Sequence, residues 1–332
     1  MLETKRGFKR VSTKMVSMIY VLLSLALAIP SMAYLIQNKT VYYFIHVFTY
    51  TFTKAQSMNE QYQNAILYLC LFWLLFACYF YLLKNSKYVF QTKKRLFGFI
   101  IIVGILFSIM IPTTSLDVYS YIGNGWVDSH YHENPYYTSV QEVTNQNGID
   151  PMLGKVARCW RDEPVIYGPV WSLICKGLTS ISRGNIDIVL YTFKIASLFI
   201  FLACSYLIYK ITNKKFFCLL FALNPFILFE FLCNVHNDIF LVFFILVAFY
   251  FMKEKKNTAM AVACIAIATG IKYLSILLLP FVLVYMLKEE NIKGKIKKAI
   301  FYGMEFIAIL VACYLFYIRD FRSIIRYLSA TK

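Results

Sequence analysis

The chain has 332 residues, 60% hydrophobic, 18% aromatic and only 15% charged, with a formal net charge of +17. One soluble core of this length cannot hide so much apolar side chain, which excludes a soluble domain and points to an all-α, polytopic integral membrane protein. The charge falls in short segments between apolar runs rather than along one polar face, so no nucleic-acid partner is expected.

From the N-terminus, the basic residues Lys9, Arg10 and Lys14 lead into an apolar run over 15–36. With Ser31-Met32-Ala33 as a small-x-small site, this segment has the outline of a signal peptide. The run continues through Leu35 and Ile36, so an uncleaved anchor is expected. Runs at 65–83 and 96–111 follow, and then a polar loop from about 112 to 165 that contains "TSLDVYSYIGNGWVDSHYHENPYY". The apolar stretch 170–181 cannot be a full span without inverting the later charge pattern, and is expected to be a re-entrant or interfacial helix. Further runs lie at 188–209, 216–233, 239–252, 258–271, 273–287 and 299–318. The total is about nine transmembrane helices in a single polytopic domain, with 112–182 as its outer loop and interfacial helix region. The runs 239–252, 258–271 and 273–287 are short, and need their polar flanks or a thinned bilayer to complete a span.

Five segments, 1–14, 84–95, 210–215, 253–256 and 288–298, hold 21 of the 34 basic residues and only Glu3, Glu254, Glu289 and Glu290 as acids. By the positive-inside rule they are cytoplasmic. Counting spans between them gives a cytoplasmic N-terminus in a multi-pass cell-membrane protein, with the 112–165 loop outside. The nine cysteines are scattered through apolar runs with no C-x-x-C pair and no zinc spacing, as expected of small core residues. Cys159 and Cys175 flank the outer loop, where pairing is open but not demanded.

Polar groups converge on the outer face. Asp117, Asp128 and Glu133 lie in the loop, followed by Arg158, Arg161, Asp162 and Glu163; "NVHND" supplies Asn234, His236, Asn237 and Asp238; "GIKYLS" supplies Lys272. Carboxylates, cations and aromatic rings at a membrane surface suit a polar group carried on a lipid. When the anomeric carbon of a sugar linked to polyprenyl phosphate is attacked, the departing phosphate needs cations and the incoming hydroxyl needs a carboxylate base. Tyrosine and tryptophan offer flat faces for sugar rings at headgroup depth. An inverting transfer needs only one such carboxylate.

Each residue also has a plainer reading. Asp117 opens the loop and fits a helix cap or turn. Asn134-Pro135-Tyr136 and Tyr167-Gly168-Pro169 are at minimum turns, and His236 and Asp238 equally fit the end of one helix and the start of the next. Lys272, between two apolar runs, either snorkels or holds a donor phosphate, with Arg161 and Arg158 next in line for the phosphate. His130, His132 and Glu133 make a poor ligand set, so neither a metal nor another cofactor is expected. Lys194, Glu230 and Glu305 lie inside apolar runs and should face the protein interior; Glu230, about two turns from His236, could approach the site.

In this order, Asp117-Val-Tyr-Ser-Tyr, Asn134-Pro135-Tyr136, Tyr167-Gly168-Pro169, Asn224-Pro225, His236-Asn237-Asp238 and Lys272-Tyr273 resemble the multispanning glycosyltransferases of the GT-C fold. The nearest group is the bacterial polyprenyl-phosphate-mannose-dependent mannosyltransferases. The resemblance covers roughly 112–280; members of that group continue through more spans, whereas this chain ends soon after 299–318 with "RDFRSIIRYLSATK". It implies a polyprenyl-phosphate sugar donor, a glycan, lipid or protein acceptor, inversion at the sugar carbon, and Asp117 as catalytic base. It also implies sugar- or acceptor-facing roles for Tyr121, Asn134, Tyr136, Tyr167, His236, Asn237 and Asp238. Mannose comes from the family, and glucose or another hexose fits the residues equally. Two other classes compete. A transporter or lipid-linked sugar flippase calls for internal repeats and midplane polar groups that the chain lacks; a non-catalytic subunit of envelope assembly predicts that Asp117 is replaceable.

Overall fold

A computed structural model describes residues 2–36, 58–148, 150–156 and 158–318, and no strand occurs among them. The helices are α1 (Leu2–Ile36), α2 (Met58–Lys84), α3 (Lys93–Ile109), α4 (Asp117–Ser129), α5 (Val140–Asn147), α6 (Arg158–Arg161), α7 (Pro169–Ser180) and α8 (Ile186–Thr212). They continue as α9 (Lys215–Ala222), α10 (Pro225–Leu228), α11 (Asp238–Tyr250), α12 (Thr258–Thr269), α13 (Leu279–Met286) and α14 (Ile292–Tyr314). The chain divides into two compact units, Met1–Ser115 with Lys194–His236, and Leu116–Phe193 with Asn237–Lys332.

Every apolar run read from the sequence is helical, and 170–181 coincides with α7. Of the nine expected spans, two or three meet the length and composition of a membrane crossing among the described residues. Among the described residues, two helices are long and apolar enough to cross a membrane by length and composition, Lys9–Ile29 and Ile186–Thr212. Lys215–Ala222 and Pro225–Cys233, bent by 52° at a short break, raise this to three if they form one span. Three of the other runs fall short for local reasons. α3 has 17 residues, α14 spends its first turns on lysines, and the 273–286 run starts as a 3-10 turn before Pro280. Ala33 of the small-x-small site, Arg158 and Cys159 have side chains outside the described residues, as does the whole of 319–332.

In the first unit, several polar side chains of apolar helices bond to main-chain carbonyls. On α1, Thr13, Ser17 and Ser24 hydroxyls donate to carbonyls four residues back at 2.8–2.9 Å. Pro225 has no N–H to continue α9, so carbonyls are released where the helix breaks. The Tyr20 hydroxyl donates to the Leu223 carbonyl at 2.6 Å, and Tyr79 donates to Leu220 at 2.9 Å. Lys194, 1% exposed, donates from Nζ to the carbonyls of Met110 (2.6 Å), Leu232 (3.1 Å) and Cys233 (2.8 Å). An ammonium has three N–H groups, so this buried cation is fully bonded while it ties the end of α3 to the turn after α10. It faces the interior as expected.

In the second unit, α4 packs across α7 at Gly125, where an added Cβ would sit 2.6 Å from the Cys175 carbonyl oxygen. Asp128 accepts from Lys176 at 2.7 Å and from the Tyr317 hydroxyl at 2.9 Å beside that crossing. α12, almost all alanine and β-branched residues, is buried among Phe251, Val282 and Phe306, as befits a helix that is apolar all round. Cys175 is a buried free thiol.

Candidate functional site

α4 begins at Asp117 and sets Ser120 and Asn124 three and seven positions further on, which puts all three on one helical face. That face lines a cavity of about 430 Å³. The remaining wall comes from Trp160, Glu163 and the segment Pro164–Tyr167. Asp117 stands in the first turn of α4, the helix end at which the peptide dipoles favour negative charge. Ser120 Oγ is buried with no hydrogen-bond partner among the described residues, and Trp160 is 45% exposed. A cavity with a carboxylate at each side, a hydroxyl, an amide and two aromatic rings can hold a polyhydroxylated ring.

Tyr167 links this cavity to the cationic group. Gly168 N–H donates to the Ile271 carbonyl at 3.0 Å and Val170 N–H to the Gly270 carbonyl at 2.8 Å. The two glycines are in such close contact that a Cβ on Gly168 would lie 2.3 Å from the Gly270 oxygen, so no larger residue fits. Lys272 follows immediately; its Nζ lies 5.9 Å from the centre of the Tyr167 ring and 2.7 Å from Asp238 Oδ1. The Tyr121 ring meets Tyr167 edge-on at 5.4 Å and Trp171 at 5.0 Å. Burial pushes the Tyr121 phenol well up, with Tyr167 adding to it. Burial raises Tyr167 as well, and the Asp117 and Asp238 carboxylates push it the same way. Both phenols therefore stay neutral hydrogen-bonding groups.

Of the residues expected to meet donor or acceptor, Asp117 and Tyr167 share the cavity, and Lys272 with Asp238 stands beside Tyr167. Tyr121 packs behind Tyr167. Asn134 and Tyr136 turn inward. Asn134, 6% exposed, donates to the Tyr317 carbonyl at 2.6 Å and accepts from the Tyr136 N–H. Tyr136, 4% exposed, donates to the Tyr167 carbonyl at 2.8 Å, so it holds the turn. Arg161 is taken up by its own loop, donating to the carbonyls of Val156 (3.0 Å) and Gly154 (2.6 Å), and does not line the cavity. In the other unit, His236 pairs with Glu230 at 2.9 Å. Asn237 is fully buried, and neither amide atom has a partner among the described residues. His130 stacks on Trp126, and no group of three His, Cys, Asp or Glu suited to a metal occurs among the described residues.

Ser120, Asn124, Trp160 and Glu163 were not singled out as binding residues in the sequence. Helical spacing from Asp117 carries the signal for the first two. Trp160 and Glu163 adjoin a cation that drew attention away from them.

These features define a class, a helical membrane protein with a carboxylate-bearing, aromatic-lined cavity. More specifically, the chain belongs to the alpha-(1->6)-mannopyranosyltransferase family, whose N-terminal-domain profile matches residues 16–288. It is 26% identical over 196 residues to alpha-(1->6)-mannopyranosyltransferase A of Corynebacterium glutamicum. That match covers 58% of this chain and 38% of the relative, so it spans well under half of the relative's length. No solved structure matches the chain.

Proposed function

We propose that the protein is a membrane mannosyltransferase that moves mannose from a polyprenyl-phosphate donor to an envelope glycan, lipid or protein acceptor on the outer face of the cell membrane. The observation that carries the reading is that Asp117 and Tyr167 line one cavity of about 430 Å³, with Lys272 held over the Tyr167 ring. Asp117 takes the proton from the acceptor hydroxyl. The acceptor oxygen bonds to the anomeric carbon as the bond from that carbon to the phosphate oxygen breaks, which inverts the centre. Lys272 faces the charge gathering on the departing phosphate, and Asp238 fixes its ammonium at 2.7 Å while two further N–H groups stay available to the phosphate. Tyr167 and Trp160 stack against the sugar, Ser120 and Asn124 bond its hydroxyls, and Arg158 assists at the phosphate. Family membership supports mannose and the transferase chemistry.

The test is transfer of radiolabelled sugar from polyprenyl-phosphate-mannose and, separately, polyprenyl-phosphate-glucose to extracted envelope lipids and glycans, comparing wild-type membranes with Asp117→Asn. Mannose transfer that collapses in the variant at equal protein level supports the proposal. Equal transfer by both proteins removes Asp117 from the chemistry.

A further inference from the structure

The unit made of Met1–Ser115 and Lys194–His236 holds a second cavity, of about 230 Å³. Arg10 and Lys14 enter it from successive turns of α1, and Arg95 enters from the first turn of α3, with Tyr88 and Gln91 between them. Three cations from two elements some eighty residues apart in sequence therefore converge on one space. Among the described residues no carboxylate is paired with any of them, and none lines the cavity. Cations brought together without a counter-charge repel one another, and Lys93, Lys94 and Arg95 moreover occupy the helix end at which the dipole opposes positive charge. An anion in the cavity relieves both penalties.

The setting narrows the anion. Arg10 and Lys14 fall in the first two turns of Lys9–Ile29, one of the two helices with the length and composition to cross a membrane, so the cavity lies at the end of an apolar segment, where phosphate groups of a bilayer lie. Its floor is firmly held. Phe90 has φ +41°, a left-handed conformation unusual for a non-glycine residue, and Lys215 Nζ fixes its carbonyl at 2.6 Å. Arg10, Lys14 and Arg95 all line this space and are themselves exposed, so an anion can reach them from the surface.

We infer that this cavity is a phosphate site which binds the headgroup of an anionic phospholipid through Arg10, Lys14 and Arg95. It is separate from the cavity at Asp117 and does not depend on the function proposed for that one.

The experiment uses the full chain purified in nanodiscs of phosphatidylcholine alone or with phosphatidylglycerol, with retained lipid counted by native mass spectrometry after release into detergent. One variant carries Arg10→Gln, Lys14→Gln and Arg95→Gln. A control carries Lys253→Gln, Lys255→Gln and Lys256→Gln, which removes the same charge elsewhere. The expected result is phosphatidylglycerol retained by wild type and control, with affinity in the cavity variant lower by on the order of a hundredfold, at about fivefold per cation. The single variant Arg95→Gln, expected to lose about fivefold, gives the reading if the triple variant fails to fold. Inorganic phosphate is titrated in a separate arm. If it displaces the lipid at millimolar concentration from wild type, the phosphate chemistry stands and the source is soluble phosphate. Equal loss in control and cavity variants, or retention of phosphatidylglycerol by both, overturns the proposal.

Discussion

Lys272 and Asp238, 34 residues apart in sequence, meet at 2.7 Å beside the Tyr167 ring. Both are roughly one-third exposed, so the pair contributes little to stability by itself, and its value lies in holding one ammonium in place. Lys272→Gln is therefore expected to leave thermal unfolding almost unchanged while raising KM for the lipid-linked donor about tenfold or more. Asp238→Asn should produce a smaller rise, because the cation survives but wanders. A variant at Lys272 with an unaltered KM would remove it from the phosphate site.

Asp117→Asn preserves shape and removes the proposed base. Transfer is expected to fall by about 10²–10⁴ in kcat, the range typical of a lost general base, with a stability loss of no more than about 1 kcal/mol from the helix-end charge. Glu163→Gln, altering the other carboxylate in the same cavity, should cost less than about tenfold, chiefly in KM. If the two losses are reversed, Glu163 is the base.

Gly168→Ala drives a methyl group to 2.3 Å from the Gly270 carbonyl oxygen. The overpacking is expected to cost about 1–3 kcal/mol and to disturb Tyr167 and Lys272 together, so activity should fall further than stability alone explains. Gly177 has nothing within 4 Å of the corresponding position and lies inside α7. Gly177→Ala should be neutral, or stabilising by up to about 1 kcal/mol. Thermal unfolding and transfer assays on both proteins make the comparison.

Lys194→Met leaves three buried carbonyls without their shared donor. Leaving a buried group unsatisfied costs about 1–3 kcal/mol, so folded yield and unfolding temperature should both drop. An unfolding temperature equal to that of wild type would show that another donor replaces the ammonium.

The helices were legible because hydropathy is a local property and each apolar run became helical, but the run 216–233 reads as continuous in the sequence and the break that Pro225 makes between α9 and α10 was not foreseen. Span number was less legible, since α3 and α14 trade apolar length for lysines at their starts. Contacts between distant segments could not be read. Nothing near Lys194 in sequence announces its three carbonyls, and Arg161 looked available until the carbonyls of 154 and 156 claimed it. Asn134 and Tyr136 have the composition of sugar contacts, yet both are spent on the backbone of their own unit. The cavity wall of α4 was within reach, because 117, 120 and 124 follow from helical geometry once Asp117 is chosen.

The contact between Gly168 and Gly270 is made by main chain alone. Frame and recognition are thereby separable: the spacing between the loop at 165–167 and the turn at 271–273 is fixed by main-chain atoms, and the exposed side chains mounted on them, Ile166 and Tyr273, are free to vary. A library randomised at Ile166 and Tyr273, both exposed, with both glycines kept, tests whether the proposed sugar preference can be altered on an unchanged scaffold. On the proposed function, the same separation would let point substitutions change the sugar accepted, with no insertion or change of topology.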